Sequence, residues 1–454
     1  MLKLLPKNPL TRWLLLTFMI SLTPLSLQPI ATTQITEENA SSPSLSEKIL
    51  GMERGLEQEF ETYFDRNLAE VTQPPEEIAR TLSRLSEETG SRSAVLWAIP
   101  RETHLHLVLI TPDGDPIVRD LYDVPRSVLD TVTEEFHRDL INPLSPMKLE
   151  IAQQLHQWII EPYEDNFLQA EGIETILFCL GDGLRGLPLA ALHDGEQFLI
   201  EKYSLSRIPA FNLINTNYDP LELDQVLVTG ASEFPEQVPL PAVPMEMWVI
   251  GRELRNHNQE SDNYTQGQYF FNERFTQENL QNSLANTPFD IVHLATHAEF
   301  QQGDPNNSYI QFWDSQLTLD NVSELNWNNP PVELLVLSAC ETALGDEEAE
   351  LGFAGLTLQS GVKSAVASLW YVSDSGTLAL MSEFYQQLAM GKGKAEALRQ
   401  AQIQMLRGNV HLTQDNLVLS RGALNLPSNW ESLGRKDFSH PFYWGSFTVI
   451  GNPW

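Results

Sequence analysis

Three segments in the C-terminal half, "FDIVHLAT" (289 to 296), "VELLVLSA" (332 to 339) and "KSAVASLW" (363 to 370), are near-continuous apolar runs rich in branched residues. A strand apolar on successive residues has both faces to bury, and a parallel sheet covered by helices on both sides buries them. The helices are there to do it. Apolar residues recur with helical period from about Leu351 to Ser360 and over roughly 375 to 390 and 394 to 407, and Gly361 and Gly391 stand where the first two should close. A further strand, "DQVLVTGAS" (224 to 232), opens this half. The reading is an α/β fold with a mostly parallel sheet.

The N-terminal half has a different rhythm. "SEKILGMERGLEQEFETYFDRNLA" reads as a charged helix weakened by two glycines, and "QPPEEIARTLSRLSEETG" as a firmer one, with proline at its start, Ile78, Leu82 and Leu85 on one face and Gly90 past its end. "SAVLWAIP" (93 to 100), "HLHLVLIT" (104 to 111) and "PIVRDL" then form an antiparallel meander around a Pro-Asp-Gly turn. His104 and His106 share one face of its second strand, without a carboxylate or thiol beside them in sequence, so no metal site is expected. A helix near 147 to 161 leads to the strand "ETILFCL", where Cys179 lies within the apolar run and reads as packing.

Before these elements, Lys3, Lys7 and Arg12 precede the short apolar run "WLLLTFMISLTPLSL", the pattern of a secretory leader or an N-terminal membrane anchor over residues 1–30. Residues 31–46 read as a polar linker. The expected location is export or membrane attachment through this segment, with the cytoplasm as the remaining alternative. A formal net charge of -33 repels phosphate backbones, so nucleic acid is not an expected partner.

Chemistry is expected where parallel strands end, because the loops there converge on a common crevice. "FDIVHLATHAEF" delivers His297 and "ELLVLSACETALG" delivers Cys340 to such positions. A thiolate nucleophile with an imidazole to carry its proton is the minimal pair for peptide-bond hydrolysis. His293 lies on the same strand, roughly 13 Å from His297 at about 3.3 Å per residue, too far to chelate a metal with it. It reads as a core histidine.

The segments "VHLATHAEF", "LLVLSACETALGDEEAELGFAGL", "GVKSAVASLWYVSD" and "HPFYWGSFTVIGNPW", with "GLRGLPLAALHDGEQFLIEKYSLSRIP" before them, together resemble the bacterial CHAT domain family of caspase-like, separase-like cysteine peptidases. The resemblance implies a caspase-like three-layer α/β/α fold with two lobes: an N-terminal pseudo-caspase lobe, at 91–222 after a helical segment at 47–90, and a C-terminal caspase-like lobe at 223–454. It implies a cysteine endopeptidase with His297 and Cys340 as catalytic dyad, and the backbone N–H groups of Ala298 and Cys340 as oxyanion hole. Glycine is common at the position of Ala298, and alanine fits only if the backbone there suits an L-residue.

Asp346 and Glu347, with Glu348 and Glu350, follow the cysteine and offer an anionic rim for substrate, although in a chain this acidic a solvated acidic loop is the favoured reading; Ser338 stands where arginine-preferring metacaspases resemble one another in an aspartate. Asp374 ends "LWYVSD" and is a further substrate-binding candidate, although the helix after it makes the N-cap the favoured reading. No cofactor and no metal are expected. The partners expected are a protein or peptide substrate and a regulatory protein. Two alternatives from other classes stand beside the peptidase: a caspase-like binding or signalling module without turnover, and, more remotely, a metal hydrolase using His293 and His297.

Overall fold

The computed structural model describes residues 43–68, 70–112, 114–258, 268–342, 344–426 and 435–454; the leader and most of the linker lie outside them. In the N-terminal half the elements are α1 (Leu45–Phe64), α2 (Pro75–Thr89), β1 (Ser93–Arg101), β2 (His104–Ile110), β3 (Ile117–Leu121), α3 (Arg126–Leu140), α4 (Leu149–Ile159), β4 (Thr175–Leu180), α5 (Leu199–Lys202) and β5 (Ser204–Ile208). There follow β6 (Val226–Gly230), α6 (Val243–Asn258), β7 (Gln268–Phe271), α7 (Gln277–Asn286), β8 (Ile291–Phe300), β9 (Tyr309–Gln311), β10 (Gln316–Thr318) and β11 (Leu334–Thr342). Next come α8 (Glu347–Ala354), α9 (Leu356–Ser360), β12 (Ser364–Ser368), α10 (Asp374–Leu388) and α11 (Lys394–Leu406). The short strands β13 (His411–Leu412), β14 (Asn416–Leu419), β15 (Gly422–Asn425) and β16 (Lys436–Asp437), then α12 (Pro441–Trp444) and β17 (Phe447–Gly451), complete the chain.

Among the described residues, one sheet of 13 strands runs in the order β10-β9-β8-β11-β12-β17-β5-β4-β1-β2-β3, with β6 on β8 and β7 on β6. Its centre is mainly parallel and its β1-β2-β3 edge is the antiparallel meander. The C-terminal strand joins the halves: β17 runs antiparallel to β12 and parallel to β5. The fold class read from the apolar runs is the fold observed.

Alternation along β1, β2 and β4 sends Val95, Trp97, Val108, Leu177 and Cys179 to one face, where Leu56 of α1 and Ile78, Leu82 and Leu85 of α2 cover them. Leu96, Leu107, Leu109 and Phe178 face the other way, into the larger core with Phe136 of α3 and Leu155 of α4. Both faces are therefore dry along β1, β4 and the second half of β2, while His104 and His106 at the start of β2 stay partly exposed. Local rules set the helix ends: Ser44 and Glu47 form a capping box on α1, Pro75 opens α2, and Gly90 closes it in the left-handed region at φ 72°.

Glu53, between the two glycines of α1, is fully buried and is the pin that holds this helix to the sheet. Its Oε1 accepts from Trp97 Nε1 at 2.6 Å and from the Phe211 N–H at 3.2 Å, and its Oε2 from the Asn212 N–H and Nδ2, both at 3.0 Å. Glu53→Ala orphans these donors in a dry site, so the expected loss is about 3–5 kcal/mol, read as a shift of the urea midpoint.

Two sequence expectations need correction. The helix from 351 to 360 is two helices, because the backbone turns at Gly355, where an added Cβ would lie 2.5 Å from the Phe64 ring. The histidine pair of β2 does have a carboxylate beside it: β3 lies antiparallel to β2 in a register that sets Asp120 directly opposite His106.

Among the described residues, no helix is long and apolar enough to cross a membrane.

Candidate functional site

The strands that carry the two candidate catalytic residues are neighbours. β8 and β11 run parallel at the sheet centre, Leu334 opposite Ile291 through Leu337 opposite Leu294. The register then slips: the next pair is Ala339 with His297, followed by Cys340 with Ala298 and Glu341 with Glu299. Cys340 is therefore diagonal to His297, with their Cα atoms about 6 Å apart at ~4.8 Å between strands and ~3.3 Å per residue. The side chain of Cys340 lies outside the described residues.

Neither residue stands past the end of its strand, which corrects the sequence reading. β8 continues to Phe300 because, once β6 has stopped pairing at Ala295, β9 takes up the same edge opposite Ala298 and Glu299. β11 follows β8 to Thr342. Ala298 thus has a strand on either side and is buried, so its N–H faces a neighbouring strand whichever edge it points toward. Its φ is not positive, and alanine sits there without the strain that a left-handed conformation would impose.

His297 is half-buried under the loop that follows β6. Its Nε2 lies 2.8 Å from the Val238 carbonyl, to which it donates in the Nε2–H tautomer, and Phe234 packs on the ring with centroids 5.1 Å apart. Sequence reasoning missed this "SEFPEQVPLPA" loop. The signal was its position after a strand of the parallel sheet, where crevice-lining loops belong.

The same loop is tethered from beneath by Asp374, whose Oδ2 accepts from the Ala242 N–H at 3.0 Å. Asp374 is not the cap of α10: Ser373 holds that position, and Asp374 is the first residue of the helix. Burial pushes its carboxyl up to about 6, with nearby Glu246 adding to the shift and the Ala242 N–H and Lys436 opposing it. A carboxyl raised in the folded state contributes stability that is complete below its ordinary pKa near 4 and is lost as pH rises through about 6. Asp374→Asn keeps an acceptor for Ala242 and removes the buried charge, so it stabilises the protein by about 1–3 kcal/mol above pH 6 and by little below pH 4. Melting temperature against pH checks this.

His293, on β8 beneath the site, is fully buried. Its Nε2 is 2.9 Å from Glu246 Oε1 of α6, close but not aligned as a hydrogen bond, and its Nδ1 is 3.1 Å from the Tyr385 hydroxyl of α10. The ring ties a strand to two helices and is a core histidine, as the strand reading expected.

The acidic residues after Cys340 have structural employments. Asp346 caps α8 by accepting the Ala349 N–H at 3.0 Å, and Glu348 accepts from the Gly303 N–H at 2.8 Å. Glu350 is buried and clamps two loops, accepting from the N–H groups of Gly186 and Gly345, each at 2.9 Å. Gly186 has to be glycine, since a Cβ there would meet the Glu350 carboxylate at 2.4 Å. Glu347 is exposed; partial burial and the nearby Asp182 push its carboxyl up, while Arg185 opposes them. Of the four, Glu347 alone is exposed and without an N–H to hold.

Cys179 behaves as the packing residue its run implied. It is fully buried, and burial, with Glu53 beside it, raises its thiol pKa well above the ordinary value. A thiol held protonated is a poor nucleophile.

Comparison with known proteins agrees with the motifs. A family model described as the CHAT domain matches residues 149–452. Comparison with curated proteins gives no match. Similar solved structures include the Saccharomyces cerevisiae separase–securin complex, at 10% identity over 85% of this chain and 32% of that one, with a TM-score of 0.45. The chain spans about a third of the length of that separase chain. Others are the complex of Porphyromonas gingivalis RgpB pro- and mature domains (13% identity, 80% of this chain and 79% of that one, TM-score 0.39) and the Arg specific cysteine proteinase gingipain R (14%, 71% and 69%, TM-score 0.38).

Proposed function

We propose that this chain, which belongs to the CHAT domain family, is a cysteine endopeptidase that hydrolyses peptide bonds in protein substrates, with Cys340 as nucleophile and His297 as acid and base. The observation that carries the reading is the parallel pairing of β8 with β11, which sets Cys340 diagonal to His297. In the reaction the imidazole takes the thiol proton, the thiolate attacks the scissile carbonyl carbon, and the oxyanion is held by backbone N–H groups at Ala298 and Cys340. The imidazolium then protonates the leaving amine as the C–N bond breaks. Water, its proton taken by the same imidazole, hydrolyses the thioester and frees the thiol.

The arrangement described is a resting one under this reading. His297 donates to the Val238 carbonyl, Ala298 lies between two strands, and Cys340 is paired in the ladder. In a regular sheet, diagonal positions belong to opposite faces, so sulfur meets imidazole only where the chain departs from the regular pleat. The register slip between Leu337 and Ala339 supplies such a departure one residue before the cysteine. Turnover therefore requires the last residues of β11 to part from β8, and a regulatory protein or the substrate itself is the agent proposed. Of the acidic side chains offered for substrate, Glu347 is exposed and holds no N–H, and it is the one proposed to meet a basic residue of substrate, with Asp346 and Asp374 engaged in hydrogen bonds of the fold. Export or membrane attachment through residues 1–30 remains part of the proposal.

The same closed features favour the second reading, a caspase-like binding module without turnover. Incubating a denatured proteome with the wild type and with Cys340→Ala separates the two. New N-termini produced by the wild type alone support the peptidase; identical N-termini in both samples leave the binding module.

A further inference from the structure

The meander at the far edge of the sheet from the Cys340 strand carries a second constellation. His104 and His106, two apart on β2, project from one face, and the β2–β3 register brings Asp120 to the same face directly across from His106. One ligand atom from each of the three lies within 4.8 Å of the other two. His106 Nδ1 is 2.6 Å from Asp120 Oδ1, and His104 Nε2 is 3.4 Å from the same oxygen. All three side chains are partly exposed, so an ion reaches them from solvent.

We propose that His104, His106 and Asp120 form a zinc-type divalent metal site on the N-terminal half of the chain. Ligand atoms about 2.0–2.1 Å from a tetrahedral Zn2+ are about 3.3–3.4 Å from one another. The His104 to Asp120 separation already has that value, and the His106 to Asp120 contact opens by less than 1 Å as the ion replaces the proton between them. The Thr103 hydroxyl sits 3.0 Å from His104 Nδ1, where it accepts the Nδ1–H of the tautomer whose Nε2 coordinates an ion. The Tyr122 ring stands against the His104 ring, with centroids 4.9 Å apart, and walls one side. Two neutral imidazoles and a carboxylate make a donor set of charge −1, on a chain whose net charge of -33 concentrates cations around it. Three protein ligands leave the fourth position to water or to a donor from a partner.

The site is independent of the dyad, and its test keeps them apart. Full-length protein carrying Cys340→Ala, so that no candidate catalytic thiol competes for metal, is titrated with ZnCl2 by calorimetry and with CoCl2 by visible absorption. One equivalent should bind with micromolar affinity or better, and Co2+ should acquire the intensified d–d bands of a four- or five-coordinate ion. His106→Ala and Asp120→Asn should each weaken binding at least tenfold, while His411→Ala, at a half-buried histidine elsewhere, should leave it unchanged. X-ray absorption at the zinc edge of the protein with native ligands should show two imidazoles and one carboxylate. It decides the matter even if a variant misfolds. Absence of binding at 100-fold molar excess, titrations unmoved by both substitutions, or a zinc spectrum with water ligands alone would overturn the proposal.

Discussion

If the proposed dyad carries the reaction, Cys340→Ala and His297→Ala should each lower peptide hydrolysis by about 10³-fold or more, and the double variant should be no slower than the worse single one. The size follows from the chemistry. Without sulfur no acyl-enzyme forms, and without the imidazole neither the thiol proton nor the leaving amine has a partner. The non-additivity follows from interdependence, because each group works only through the other. The loss should fall on kcat, since neither side chain is needed to hold the peptide. Active-site titration beside steady-state kinetics checks this, and equal residual rates in wild type and Cys340→Ala would remove both residues from the reaction.

The second large effect is on stability. Glu246→Ala should cost about 3–5 kcal/mol, because it leaves His293 facing an empty dry space between β8 and α6. The triple variant Glu246→Leu, His293→Leu and Tyr385→Phe should lose markedly less than Glu246→Ala, since replacing the polar partners and the hydroxyl that meets His293 by apolar groups removes the unmet demand. Denaturant midpoints of the two variants provide the comparison. Equal destabilisation would show the cost to be one of shape alone.

The elements most legible in the sequence were those whose period is local. The apolar runs of β4, β8, β11 and β12 declared a buried sheet, and Pro75 and Gly90 bracketed α2 within a residue. The candidate residues His297 and Cys340 were picked out by position on two strands, but their register was not legible, because a slip depends on what lies on the other edge. Here β9, short and formed from a loop, extends β8 past its apolar core and carries His297 into the ladder. Glu53 illustrates a second kind of miss. In sequence it is one more acid in a charged helix; its meaning comes from donors at 97, 211 and 212. Asp120 is a third, since only the β2–β3 register sets it beside the histidines. Across such separations a pattern of types carries no geometry.

The proposed peptidase chemistry depends on a thiol in Cys340 activated by His297, and the rate of iodoacetamide alkylation at each cysteine reads this most directly. Mass spectrometry of the native protein at neutral pH, after substrate peptide has been added to open the site, should find Cys340 modified at least about 100-fold faster than buried Cys179, with that advantage lost in His297→Ala. Equal, slow labelling of both cysteines in the wild type, or fast labelling of Cys340 that persists without the imidazole, would contradict it.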